Sequence, residues 1–350
     1  MRAHMANLKQ VAAQAGVSSA TVSRYLNGTL SLPQPTRDAI ETAIRELNYS
    51  PNPFARSLSR GRADVIRMVV PDIKTPFFSA LVAAVENAAF EREQELEIAV
   101  TLNRPGRESR YLDSVSERHV DGLIFVTNHP DVAPLEKRIT AARRVVLLDE
   151  NVPHAQAPRL FCDNEGGGAM AADHLADHGH KVVGVIGTGD EMYSGAARFR
   201  GFQTALQARF GAQAQILRKC GQGYTQEEGR RLCAAILDSG LPVSAIFVMS
   251  DEMVMGTLDE LKARGLSVPG DISLISFDDI LPLDYFETPV TAIRQPVEAL
   301  GEMAVRILLD TDWNDPASRS RVTLLPVTLV ERSSVASVTH PSKSNDSTGG

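Results

Sequence analysis

Along the first 62 residues, apolar positions recur at helical rather than strand spacing. Asn7 can cap a helix whose inner face holds Leu8, Val11, Ala12 and Ala15, and Gly16 suits the left-handed turn that ends it. Val17 follows as a buried spacer, and Ser18 then caps a second helix carrying Ala20, Val22, Tyr25 and Leu26, which Asn27-Gly28 closes. A third helix is expected from about Pro35-Thr36 to Leu47, with Ile40, Ala43, Ile44 and Leu47 on one face. The run from Asn48 to Pro53 breaks that pattern, and Phe54 to Ser59 has room for one or two helical turns.

From Asp64 onward the pattern changes to strands alternating with helices. Strands are predicted at Val65–Val70, Ile98–Val100, Gly122–Val126 and Val145–Leu148, with helices at Phe77–Arg92 and Glu108–Arg118. A second series follows: helix Gly167–His178, strand Val182–Ile186, helices Ala197–Phe210 and Gln226–Asp238, strand Ala245–Val248, helix Glu252–Arg264 and strand Ile272–Phe277. Short apolar strands between helices of ten or more residues imply parallel sheets covered on both faces. Two such series imply two α/β lobes, with ligands held outside the carboxyl ends of the strands. The polar tail after Val335 is expected to be disordered, and it lacks the apolar heptads of a coiled coil.

Composition sharpens this picture in two places. The net charge of −7 hides an asymmetry: residues 1–62 hold eight basic and three acidic side chains, +5, so the remaining 288 carry −12. A basic head on an acidic body suits a head that meets phosphates. Three widely spaced cysteines, Cys162, Cys220 and Cys233, fit reduced thiols rather than a disulfide framework or a metal cluster. No apolar run reaches the roughly 18 residues of a membrane span. The opening MRAHMANLKQ lacks the apolar stretch of a secretion signal, so a cytoplasmic protein is expected.

The stretch LKQVAAQAGVSSATVSRYLNG, Leu8 to Gly28, has the form of a helix-turn-helix: helix, short glycine-containing turn, polar second helix. Val11, Ala12, Ala15, Val17, Val22 and Leu26 would lock the helices together. Ser19, Ala20, Thr21, Ser23 and Arg24 would face outward, small or polar as entry into a major groove requires, and Arg24 can donate two hydrogen bonds to guanine.

With TRDAIETAIRELNYSPNPFARSL (Thr36 to Leu58), this stretch closely resembles the head and hinge of the lactose-repressor (LacI/GalR) family. The resemblance continues through VVPD (Val69 to Asp72), VDGLIF (Val120 to Phe125), DNEGGGAMAADHLADHGHKVVGVIG (Asp163 to Gly187), ARFRGF (Ala197 to Phe202), VPGDISLISFDD (Val268 to Asp279) and TAIRQP (Thr291 to Pro296). It implies a helix-turn-helix domain at 1–50, a hinge at 51–63, a two-lobed, periplasmic-binding-protein-like effector and dimerisation domain at 64–335, and a tail at 336–350. It also implies a homodimer on pseudopalindromic operator DNA, in which Ser19, Ala20 and Arg24 read bases. Ser18, Thr21, Ser23, Asn27, Thr36, Tyr49 and Asn52 would touch or position the backbone. Phe54 to Ser59, too short to be a stable helix in water, would fold on DNA with Leu58 as its minor-groove wedge.

A sugar cleft needs aromatic faces for the ring and charged groups for the hydroxyls. By resemblance, Arg198 and Asp278 are its principal polar contacts, with Asp149 and Ser194 nearby and Phe77, Phe78 and Tyr224 as aromatic walls. The implied effector is a monosaccharide or sugar acid. Met192, where a purine-responsive member would have arginine, disfavours a purine. Ser250 stands where several sugar-responsive members carry asparagine, and Arg67 replaces a usual glycine.

The functional expectation is a sugar-controlled transcriptional regulator, most simply a repressor, needing no cofactor or metal. A transport-type sugar-binding protein would share the two lobes but not the head. A dinucleotide enzyme would need G-x-G-x-x-G after a strand; Gly184 to Gly189 has the wrong spacing, and no catalytic constellation stands out.

Overall fold

The computed structural model describes residues 6–49, 63–113, 115, 120–129, 131–279 and 281–338. They fall into two compact units, Met1–Asp64 and Val65–Gly350.

The first unit contains α1 (Leu8–Gln14), α2 (Ser19–Leu26) and α3 (Gln34–Glu46). Its boundaries follow the expected local chemistry. Asn7 and Gln10 form a reciprocal capping box, with Asn7 Oδ1 accepting from Gln10 N at 3.1 Å and Gln10 Oε1 accepting from Asn7 N at 2.8 Å. Gly16 turns the chain at φ +68°, and Ser18 Oγ accepts from Thr21 N at 3.0 Å to open α2. The helices close over a small core of Val11, Ala12, Val22, Ile40 and Ala43.

The second unit is two six-stranded sheets. The first has the order β11-β5-β4-β3-β1-β2, with β1 at Val65–Val70, β2 at Glu95–Val100, β3 at Leu123–Phe125, β4 at Val145–Leu148, β5 at Arg159–Cys162 and β11 at Val322–Leu325. It is parallel throughout. The second has the order β12-β10-β9-β8-β6-β7, with β6 at Val182–Thr188, β7 at Gln215–Gly221, β8 at Ala245–Val248, β9 at Ser273–Phe277, β10 at Thr291–Arg294 and β12 at Thr328–Val330. Helices α4 (Pro76–Phe90), α5 (Pro105–Asp113) and α6 (Ala133–Ala142) lie in the first series, and α7 (Asn164–Asp177), α8 (Tyr193–Phe210), α9 (Gln226–Leu237) and α10 (Asp251–Ala263) in the second.

Four features depart from the sequence pattern. The second sheet is not wholly parallel, because β12 runs antiparallel to β10. Nor do the lobes simply follow one another. After β10, helix α11 (Val297–Asp310) returns to pack on α4, and β11 joins the first sheet before β12 re-enters the second. The helix expected at Glu108–Arg118 starts earlier, at Pro105, and is described to Asp113; residues 114 and 116–119 lie outside the described residues. The tail is bound at its start: Ala336 N donates to Ser273 Oγ at 3.0 Å and Val338 N to the His178 carbonyl at 2.9 Å. Residues 339–350 lie outside the described residues, as do the hinge positions Asn52 and Leu58.

Helices α7 and α8 start earlier than their apolar spacing suggests, and this sets the site. Asp163 Oδ1 accepts from Gly166 N at 2.8 Å and opens α7 at Asn164. Helix α8 opens at Tyr193, placing Ser194 one turn before Arg198 on the same face. The two helices touch through glycine: a Cβ on Gly168 would sit 2.0 Å from the Arg198 carbonyl oxygen, and one on Gly201 would sit 1.9 Å from that of Glu165. Any side chain there would force the helices apart and move Arg198 with them.

Candidate functional site

In the first unit, α2 presents a row of small and polar side chains. Ser18, Ala20 and Arg24 are exposed, while Ser19, Thr21, Ser23 and Asn27 are half-buried. Val22 is fully buried on the opposite face, which fixes the orientation of the helix. Tyr25 Oη donates to Glu41 Oε1 at 2.8 Å and ties α2 to α3. Thr36 and Tyr49, near the two ends of α3, are half-buried.

In the second unit, loops at the carboxyl ends of the strands surround a cavity of about 170 Å³. All seven expected effector residues, Phe77, Phe78, Asp149, Ser194, Arg198, Tyr224 and Asp278, line it, and so do Met192 and Ser250. Phe77 and Phe78 open α4 with ring centroids 5.4 Å apart and planes tilted by 59°. Asp149 follows β4 at φ +71° and Asp278 follows β9 at φ +73°. Left-handed backbone at a side chain is costly and is held only by surrounding structure; Asn103, at φ +53°, is a third such residue in the cavity wall.

Arg198 is the electrostatic centre. Its guanidinium lies 3.8 Å from the Phe277 ring centroid. Nε donates to Asn164 Oδ1 at 2.8 Å, Nη1 donates to the Met249 carbonyl at 2.6 Å, and Nη1 is 3.8 Å from Asp278 Oδ2. Burial alone would lower its pKa, but the charge of Asp278 beside it raises it. Gln295 Nε2 donates to the other Asp278 oxygen at 2.6 Å. Asp278 is nevertheless pushed above the usual carboxylate range by burial, against the pull of Arg198. Asp149 is raised to about 6, again chiefly by burial.

Several polar groups of the site were not foreseen. Glu150, 4% exposed, accepts from Ser194 N at 3.3 Å and from Ser194 Oγ, linking the loop after β4 in one lobe to α8 in the other. Ser194 Oγ is 3.0 Å from Tyr224 Oη, which accepts from Thr188 Oγ1 at 3.1 Å. A second bridge between the lobes runs from Thr75 Oγ1 to Glu252 Oε1 at 3.1 Å. Burial and the neighbouring Asp149 charge push Glu150 up to about 8. Asp251, in the cavity wall, is raised to about 7 by burial and then by Asp278. The available signal was positional: Asp149-Glu150 and Asp251-Glu252 each stand just past an apolar strand.

A family model for lacI-family bacterial regulatory proteins matches residues 7–52, and one for the periplasmic binding protein-like domain matches residues 172–335. The HTH-type transcriptional repressor CytR of Escherichia coli (strain K12) is 32% identical over 308 residues, covering 87% of this chain and 89% of the relative. The chain belongs to the LacI family. PurR, the HTH-type transcriptional repressor of Proteus mirabilis (strain HI4320), is 33% identical over 340 residues and covers 95% of this LacI-family chain and 97% of the relative. Among solved structures, the transcriptional regulator CelR–cellobiose complex superposes with a TM-score of 0.69 at 29% identity, covering 94% of this chain and 99% of that one. This LacI-family protein is thus a DNA-binding transcriptional regulator with a ligand-binding core, not an enzyme. Among the described residues, no helix is long and apolar enough to cross a membrane.

Proposed function

We propose that the protein is a homodimeric repressor whose hold on a pseudopalindromic operator is set by a small sugar or sugar derivative bound in the cavity. On this reading Ser19, Ala20 and Arg24 face base edges. Ser18, Thr21, Ser23, Asn27, Thr36, Tyr49 and Asn52 meet or position the backbone, and Leu58 is the minor-groove wedge. Phe77, Phe78, Asp149, Ser194, Arg198, Tyr224 and Asp278 hold the effector. The observation that carries the reading is convergence: seven side chains scattered from position 77 to 278 line one cavity, with aromatic rings and a buried Arg–Asp pair together. Aromatic walls with a few placed polar groups are the usual make-up of a small-molecule site.

Coupling follows as a population shift. The lobe bridges Glu150–Ser194 and Thr75–Glu252 cross the cavity region, so a ligand that prefers one lobe spacing biases the whole core. DNA and effector then affect each other's affinity reciprocally. The test is a thermal-shift screen of the full chain against sugars, sugar derivatives and nucleobases, followed by operator titration with the hit. A sugar that raises the melting temperature and changes operator affinity, with both effects lost in Arg198→Lys and Asp278→Asn, supports the reading. A nucleobase as the only hit refutes the effector class.

A further inference from the structure

The charge inventory of the cavity is lopsided. Asp72, Asp149, Asp251, Glu252 and Asp278 line it, and Arg198 is the single basic side chain among the lining residues. Arg198 is already committed to Asn164, the Met249 carbonyl and Asp278. Two acceptors are left over. Asp251, 2% exposed, spends Oδ1 on the Glu252 amide at 2.8 Å, while its Oδ2 is buried with no hydrogen-bond partner among the described residues. Gln295, 5% exposed, donates to Asp278 through Nε2, and its Oε1 is likewise buried without a partner. Both residues line the cavity. A buried acceptor without a donor is costly, and a ligand that brings the donor removes the cost.

We propose that this cavity selects an effector bearing no negative charge, with an amine-bearing sugar seated against Asp251 as its best occupant, and rejects sugar acids and sugar phosphates. The inference rests on the sugar reading above and narrows it. Hydroxyls and an ammonium supply only what the walls lack, hydrogen-bond donors and positive charge. A carboxylate or phosphate would add acceptors and a like charge beside the buried Asp149, Asp251 and Asp278, where like charges repel more than in water. The adjoining cavity, which shares Phe77, Asp278 and Gln295, offers such a group no refuge. Asp279, Asp284 and Glu298 line it, and its arginine, Arg294, is paired with Asp279 at 2.5 Å. Burial and then the Asp278 charge raise the pKa of Asp251, a direction that an ammonium seated beside it would oppose.

The test uses the full chain and matched series of glucose, galactose and mannose: the parent sugar, its 2-amino form, its uronate and its 6-phosphate. Binding is read by calorimetric titration for the parent protein and for Asp251→Asn, which keeps the Oδ1 acceptor and removes the charge. In at least one series the amino sugar should bind best, about tenfold tighter than the parent sugar. Its uronate and phosphate should be silent, and Asp251→Asn should abolish the amine preference. Without ligand, Asp251→Asn should melt no lower than the parent protein. A uronate or phosphate that binds as well as its parent sugar overturns the proposal, as does an amine preference that survives Asp251→Asn. If no sugar binds while Asp251→Asn alone raises the melting temperature, the sugar reading falls and the charge rule keeps its support. If Asp251→Asn alone lowers melting by several degrees, Asp251 is part of the scaffold and the proposal fails.

Discussion

Helix α2 of the head and helix α8 of the core each carry an arginine proposed above for recognition, in opposite settings. Arg24 is exposed at the end of a face made of small side chains. Arg198 is 4% exposed, stacked on Phe277 and set among buried carboxylates. An exposed reader is coupled weakly to the stability of its own domain, so its identity can change with the DNA sequence it reads. A buried reader is also a counterion, so recognition and folding cannot be varied separately there.

The strongest challenge to this contrast is Arg198→Ala. It leaves Asp278 and its neighbours buried without their cation and should destabilise the core by about 3–5 kcal/mol in denaturant unfolding. A loss under about 1 kcal/mol would mean that the acids are already neutral and the pair adds little.

The next effect is with pH, and its sign follows from the acids around Arg198. Asp149 at about 6, Asp251 at about 7 and Glu150 at about 8 all lie above their ordinary values. Asp149 faces Arg198 and Asp278; Asp251 faces Asp278, Glu252 and Arg198; Glu150 faces Asp149, Ser194 and Arg198. The folded core therefore keeps protons that the unfolded chain has released, and unfolding free energy falls as pH rises through that window. Calorimetry of the unliganded protein from about pH 7 to pH 9, above the range where the lowered His174 and His180 titrate, should show the core transition moving down, less steeply in Glu150→Gln. A transition that climbs over the same range would break the argument.

Smaller still is Arg24→Ala, which should weaken operator binding by about 1–3 kcal/mol at fixed salt and relax discrimination at one base pair. The melting of the head should stay within about 0.5 kcal/mol of the parent. Smallest is Ser18→Ala, which removes the cap of α2 and should cost the head about 1 kcal/mol, read by far-ultraviolet circular dichroism on heating.

Legibility followed the same divide. The caps Asn7 and Ser18 and the stop at Gly16 act within a few residues, so the head could be read almost to its boundaries. Strand Ala245–Val248 was plain because burial on both faces makes it continuously apolar, and Val65–Val70 is apolar but for Arg67. Strand β7 was missed because it lies at a sheet edge, and its Arg218-Lys219 stretch reads as polar. Strand β5 begins with Arg159, whose guanidinium is spent on Asn151 and on the carbonyls of Val152, Pro153, Ala155 and Ala157, a pattern no local rule reveals. The return of α11 to α4 is a tertiary event without a periodic signature. Asp251 lines the cavity, and Glu150 bonds Ser194 of its wall, only because two lobes meet there.

The left-handed backbone at Asp149 and Asp278 also limits how this pocket can be re-engineered. At φ near +70°, glycine and asparagine are the substitutes that fit without added strain, whereas β-branched or bulky replacements strain the loop whatever they offer a ligand. Directed evolution toward a new effector should therefore accumulate changes at Met192 and Ser250, whose φ values of −99° and −157° admit almost any side chain. At the two aspartate positions the shape of the chain would confine such a campaign to glycine and asparagine.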